Sequence, residues 1–336
     1  MKKFLSCFLA LSIVLAMTAC GGKQDSATPS ASATSGTVTL KMHHAGVEGD
    51  AYYQGAEKFA ELVNTYSDGT ITVEVYPNSE LASSSNAVQG VQMGTIDIAL
   101  EPSMTEANFI NDMNVLNLPF LFSDYDQVYQ VLDGPVGNTL AASAESAGFK
   151  MLYYWDNGFR NLSNNVRPIN SVEDLKGLKI RVPENDIFIS TWEAMGAIPT
   201  PMAWSEVFSS LQLGTINGQE NPNGHMKSYN LTEVQKYFTI TNHVYTAEPL
   251  LMNLDKFQSL SENQQQAILK AAQEAGDFER ELRQQINDGT IQFIKDAGVE
   301  VTTPDLHPFK SAVQSVYDTY SSRFGNLLTE IQNITG

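Results

Sequence analysis

Two arginines, Arg160 and Arg181, are the side chains of this 336-residue sequence best suited to holding a small organic anion. A guanidinium presents parallel N–H donors that match the two oxygens of a carboxylate, so one arginine can anchor an acid with a pair of charge-assisted hydrogen bonds. Arg181 lies in the β-like run 178–182, which Pro183 halts and the polar Glu184-Asn185-Asp186 follows as a helix-start signal. A cation on a strand end facing a helix start sits where open α/β sheets bind ligands. Arg160 follows Asn157-Gly158, which reads as a turn after the apolar run 151–155, so it too emerges at a strand end. The plainer reading of either arginine is a surface cation paired with one of the 38 acidic residues.

Other residues suit recognition. Trp204 opens the helical stretch 203–213, where it either offers a flat apolar face to a ligand or fills the core. Asn221, in Gly218-Gln-Glu-Asn-Pro222, follows a strand and precedes a helix, and its amide either donates to a ligand oxygen or caps that helix. Glu101, directly after the run 96–100, is either an acceptor for ligand hydroxyls or a solvated acid. His44 and His243 complete the candidate set. The five histidines show no metal-ligand spacing, and His43 and His44, adjacent on a strand, point to opposite faces, so at most one meets a cleft. Metalloprotease, nucleophile-elbow, phosphate-loop, dinucleotide and calcium-loop motifs are absent from the sequence, so no catalytic residue, metal or cofactor is expected.

The elements that must position these residues alternate between strand and helix. Residues 37–42 read as a strand, 52–66 as a helix, 70–76 as a strand, 86–93 as a helix capped by Gly94, and 96–100 as a buried strand, the pattern of a parallel sheet. A short likeness recurs. A strand stopped by Pro77 leads through helix to Gly94-Thr-Ile-Asp97, and a strand stopped by Pro183 leads through helices to Gly214-Thr-Ile-Asn217. Two similar lobes imply a cleft between them, a favoured ligand site. Helices are expected near 127–132 and 136–147 and a strand at 149–155; 242–254 is extended and apolar and returns the chain to the first lobe. The stretch 261–297 is helical, with a break expected near Gly289, and is long enough to lie across both lobes. A strand at 299–302 and one helix over 308–331 finish the chain.

The first residues carry an address. Met1-Lys2-Lys3, an apolar run 4–17 and Met17-Thr-Ala-Cys20 form a secretory leader of lipobox type, in which Cys20 becomes lipidated after cleavage. The apolar run is shorter than the ~20 residues that a membrane-spanning helix requires. Residues 21–36, rich in Gly, Ser, Ala and Thr, read as a flexible tether. Cys7 and Cys20 are the two cysteines, so the body holds no disulfide and no thiolate metal site. The formal net charge of −18 excludes a nucleic-acid partner and means that attraction for an anion must come from a local site.

The sequence resembles the DctP-type solute-binding proteins of tripartite ATP-independent periplasmic (TRAP) transporters. The likeness rests on Val73-Glu-Val-Tyr-Pro77-Asn, Gly158-Phe-Arg160, Asp174-Leu-Lys-Gly-Leu-Lys-Ile-Arg-Val-Pro183, Gly196-Ala-Ile-Pro-Thr-Pro-Met202, Ser205-Glu-Val-Phe208, Gly218-Gln-Glu-Asn-Pro222 and Glu233-Val-Gln-Lys-Tyr-Phe238, in one order across the body from Thr37. It implies an α/β, two-lobed periplasmic-binding-protein-like fold with a long helix spanning both lobes: 37–158 with 247–286 as lobe I, 159–246 with 287–336 as lobe II. By motif it places the carboxylate clamp on Arg181 and further contacts on Arg160, Trp204, Asn221 and Glu101. Family members that bind sialic acid look to have an arginine shortly after that glutamate; Met104 stands there in this sequence, and Trp204 replaces a common phenylalanine. The expectation is a lipid-anchored binding protein on the outer face of the bacterial cytoplasmic membrane. It takes a small carboxylate ligand, a sugar acid such as a uronate being the first choice, without covalent chemistry, and hands it to the small and large membrane subunits of the transporter. A short dicarboxylate or an aromatic keto acid would also meet an arginine and an aromatic. A secreted sugar-acid enzyme and the sensing partner of a receptor are the alternatives.

Overall fold

Two sets of three parallel strands share one sheet, joined by two long strands that run through its centre. The computed structural model describes residues 37–336; the expected leader 1–19, the lipidation site Cys20 and the tether 20–36 lie outside the described residues. The strands are β1 (Val38–His44), β2 (Ile71–Tyr76), β3 (Ile98–Leu100), β4 (Phe149–Asn164), β5 (Lys179–Val182), β6 (Ile198–Pro201), β7 (Gly218–Pro222), β8 (Tyr237–Asn253) and β9 (Glu300–Thr302). Their order is β2-β1-β3-β8-β4-β7-β5-β6, with β9 beside β8. Parallel pairing holds inside each set, as the strand-helix alternation predicts. The bridging strands depart from it: β8 runs antiparallel to β3 and β4, and β4 antiparallel to β7.

The sequence repeat is structural, with a correction to its alignment. Gly94 and Gly214 take left-handed φ of 76° and 71° and end the helices Ser84–Met93 and Val207–Gln212. Asp97 then accepts from the backbone N–H of Lys41 at 2.8 Å, and Asn217 accepts from that of Lys179 at 2.8 Å. Strand β5 therefore corresponds to β1, and β7 to β3; the strand ended by Pro77 is not the counterpart of the one ended by Pro183. Counting on from these anchors, His43 and Arg181 occupy matching positions, as do Glu101 and Asn221.

The sequence predicts a strand over 149–155 closed by a turn at Asn157-Gly158, yet β4 runs on to Asn164. Gly158, at φ 112°, absorbs a register shift between Asp156 and Gly158 and lets the strand continue past the point where a turn would reverse it. The lobe boundaries expected at 158/159 and 246/247 fall inside β4 and β8, where Gly158 pairs with Thr246; that at 286/287 falls inside the long helix.

The long helix spans Glu262–Asp296, about 50 Å at a rise of ~1.5 Å per residue. A capping box between Ser261 and Gln264 starts it. It packs on the helix Ala51–Tyr66, which follows β1, on β4, on the helix Asn223–Ser228, which follows β7, and on β9. No break occurs at Gly289, because buried Thr290 and Ile294 hold the following turn against the body. The single helix expected over 308–331 is instead three, His307–Ala312, Gln314–Tyr320 and Asn326–Thr335, interrupted by a 3₁₀ turn and by Gly325 at φ 51°. Among the described residues no helix is long and apolar enough to cross a membrane.

Candidate ligand-binding site

The carboxyl ends of β1, β3, β5 and β7 converge on a cavity enclosing about 720 Å³ of space, its mouth included. Contacts between the two halves close over it: Tyr229 donates to the Ala45 carbonyl at 3.2 Å, Asn108 to the Glu184 carbonyl at 3.1 Å, and Asn185 to the Met104 carbonyl at 3.2 Å. Arg160, Arg181, Trp204, Asn221 and Glu101 all line it. His44 and His243 do not.

Neither arginine is a surface residue: Arg160 is 1% exposed and Arg181 5%. Their surroundings differ. Arg160 donates from Nε to Glu220 Oε2 at 2.6 Å and from Nη2 to Oε1 at 2.9 Å, with a further bond to the Glu220 carbonyl at 2.7 Å. Burial opposes the charge of Glu220, but Arg160 and His243 outweigh it and hold the carboxyl down to about 2. Arg181 donates only to the Met202 carbonyl, from Nε at 3.0 Å and Nη2 at 2.8 Å, and among the described residues no carboxylate reaches it. Burial, with Arg160 nearby, lowers its pKa to about 10, so it stays charged at neutral pH. Glu220 and Glu184 favour its charge only through space, so it is the cation without a hydrogen-bonded carboxylate.

Trp204 begins a 3₁₀ turn, Trp204–Glu206, in place of the expected helix start. Its half-buried ring meets Tyr229 edge-on with centroids 4.9 Å apart and lies 5.7 Å from the Arg181 guanidinium carbon. Asn221 lies within β7 and is not the helix cap; its Nδ2 donates to Gln219 at 2.6 Å. Glu101 is fully buried, so it is not a solvated acid, and Oε1 lies 2.9 Å from His43 Nε2, within hydrogen-bond distance. His44 is buried behind the wall: Nδ1 accepts from the Gly46 N–H at 3.0 Å, and burial with His43 beside it holds its pKa down to about 4. His243 serves Glu220 from the second row, Nε2 lying 3.0 Å from Oε2.

The sequence did not disclose the lining residues Tyr52, Asn157, His225 and Glu248. Glu248, on β8, accepts at Oε2 from Tyr52 at 2.9 Å and from Asn157 Nδ2 at 3.3 Å. Burial, reinforced by Glu101, pushes its carboxyl well above the ordinary range. His225, stacked on Tyr229 at 5.1 Å, is held down to about 3 by burial and is neutral, with Nδ1 buried and lacking a partner among the described residues. The one signal in the sequence was a lone acid, Glu248, in the apolar run 244–252. Among the described residues no cluster could hold a metal ion. The site offers one cation with no hydrogen-bonded carboxylate among the described residues, an aromatic face and a row of acceptors, which is equipment for binding.

Residues 42–323 match the family described as bacterial extracellular solute-binding protein, family 7. The chain is 37% identical over 276 residues to the 2,3-diketo-L-gulonate-binding periplasmic protein YiaO of Escherichia coli, a match that covers 82% of this chain and 84% of that protein. It is 32% identical over 294 residues to the C4-dicarboxylate-binding periplasmic protein DctP of Rhodobacter capsulatus, covering 86% and 88%. Among solved structures it resembles a TRAP periplasmic solute binding protein from Roseobacter denitrificans with bound β-D-glucuronate, with TM-score 0.86, 29% identity, and coverage of 88% and 99%.

Proposed function

Because the chain belongs to the bacterial extracellular solute-binding protein family 7, a family of transporter binding proteins and not of enzymes, we propose that it captures a sugar acid such as a uronate. The ligand is delivered to the membrane subunits of a TRAP transporter. One observation carries this reading: Arg181 is a buried guanidinium with no carboxylate partner among the described residues, beside an aromatic face, in a cavity between two halves. A ligand carboxylate supplies the missing counter-charge, and the C–H face of a sugar ring lies on Trp204. Solved relatives with bound β-D-glucuronate and β-D-galacturonate support the choice of uronates. Met104, which lines the cavity, gives no second cation for a sialic acid.

A thermal-shift screen of uronates, aldonates, short dicarboxylates and keto acids tests the ligand class, since a ligand at a hundred times its Kd stabilises the fold by about 2.7 kcal/mol. No shift with any sugar acid removes the reading. The Met17-Thr-Ala-Cys20 sequence supports a lipid anchor on the outer face of the membrane. Fractionation of cells expressing Cys20→Ser tests it: the variant leaves the membrane fraction if Cys20 carries the lipid.

A further inference from the structure

We infer that Glu101, Asn157 and Glu248 form a hydroxyl-reading wall, which makes this site selective for polyhydroxylated acids over acids of similar size without hydroxyls. The inference rests on the sugar-acid reading and adds the residues that enforce it. Glu101 Oε2 and Asn157 Oδ1 are buried and have no hydrogen-bond partner among the described residues, although both side chains line the cavity and use their other polar atom. Both orphans are acceptors. Glu248 beside them has one oxygen occupied by Tyr52 and Asn157, leaving Oε1 for a ligand. Ser83, Ser84 and Ser85 bring donors to the same cavity but do not reach these acceptors.

A buried acceptor left without a donor is costly, so the ligand must supply the donors. A carboxylate has only acceptors and belongs at Arg181; set against Glu101 Oε2 it brings an acceptor to an acceptor. A methylene satisfies nothing. A hydroxyl donates to Glu101 and Asn157, and it suits Glu248 in either protonation state because it can both donate and accept. Sites built around a substrate hydroxyl reject the analogue that lacks it far more strongly than apolar pockets reject a missing methylene.

Titration calorimetry of the whole mature chain with D-glucuronate, D-galacturonate and D-gluconate, set against tetrahydropyran-2-carboxylate and succinate, tests the inference. Tetrahydropyran-2-carboxylate keeps the ring and the acid and removes every hydroxyl. The best polyhydroxy acid is expected to bind at least about a hundredfold more tightly than either unhydroxylated acid. Glu248→Gln and Glu101→Gln, which replace an acceptor oxygen by a donor, are expected to lower that preference at least about tenfold. A preference below about tenfold in the parent protein overturns the inference and leaves acid capture standing. Binding of none of the five acids overturns both. If both variants keep the parent's full preference, these residues do not read the hydroxyls.

Discussion

Arg160 and Glu220 face each other across neighbouring strands as a buried two-pronged ion pair, with Nε–Oε2 at 2.6 Å and Nη2–Oε1 at 2.9 Å, while Arg181 on the next strand has no such partner. Two arginines that look alike in the sequence are therefore expected to fail differently. Arg160→Ala strands the Glu220 carboxylate in the interior and is expected to cost about 3–5 kcal/mol of stability, measured by denaturant unfolding. Arg181→Ala leaves no buried carboxylate behind, and is expected to lose at least about a hundredfold in ligand affinity by calorimetry with a much smaller change in unfolding midpoint. The reverse pattern would make Arg160 the anchor.

Trp155 and Trp192 are fully buried, and of the three tryptophans only Trp204 borders the cavity. Ligand titration is expected to change the emission of the parent protein. In Trp204→Phe that change is expected to vanish while calorimetric binding persists, because a phenyl ring still offers an apolar face. Trp204→Ala, which removes the face, is expected to weaken binding. A ligand-dependent signal surviving in Trp204→Phe would move the contact elsewhere.

Glu106 is a buried acid whose two oxygens have no partner among the described residues. Burial, together with Glu248 and Glu101, holds its carboxyl well above the ordinary 4.5. The unfolded chain releases this proton near its ordinary value and the folded chain only at higher pH, so the folded state binds more protons in between and stability falls as pH rises through that window. Glu106→Gln removes this dependence. Its Tm relative to the parent is expected to be nearly level at pH 4 and to rise steadily from there to neutrality. An unchanged Tm difference across the range would show that Glu106 ionises normally.

Gly158 sits at φ 112°, and a Cβ there would lie 2.7 Å from Asn287 Nδ2 and 3.0 Å from the Tyr125 hydroxyl. Gly158→Ala is expected to destabilise by about 1–3 kcal/mol through backbone strain and crowding. Gly289, inside the long helix, is the control, because a Cβ added there would meet nothing within 4 Å: Gly289→Ala is expected to gain about 0.5–1 kcal/mol. Equal effects of the two substitutions would mean that the bulge at Gly158 is unstrained.

What the sequence disclosed was local. Pro183 and the helix start after it marked the end of the strand that carries Arg181, and Gly94 announced the end of the helix Ser84–Met93. The family resemblance then tied Arg181, Arg160, Trp204, Asn221 and Glu101 to one cavity. What stayed hidden depended on distant partners. Asn157-Gly158 has the composition of a turn, and only pairing with β8, whose partner residues lie some 90 positions away, makes it a strand bulge. Glu248 sits in an apolar strand, where its role comes from Tyr52 and Asn157, neither of them near in sequence. Glu220, inside the Gly218–Pro222 motif, gave no sign that it would pair with Arg160 and leave Arg181 as the arginine without a bound carboxylate.

The pairing of β3 with β8 joins Ile98 to Met252. During synthesis the amino-terminal strands must wait for about 150 further residues before their sheet has its next neighbour, and longer for the helix that covers it. A nascent chain built this way stays open while it is being made. For a member of a family of extracellular solute-binding proteins, late completion keeps the polypeptide threadable until it has crossed the membrane.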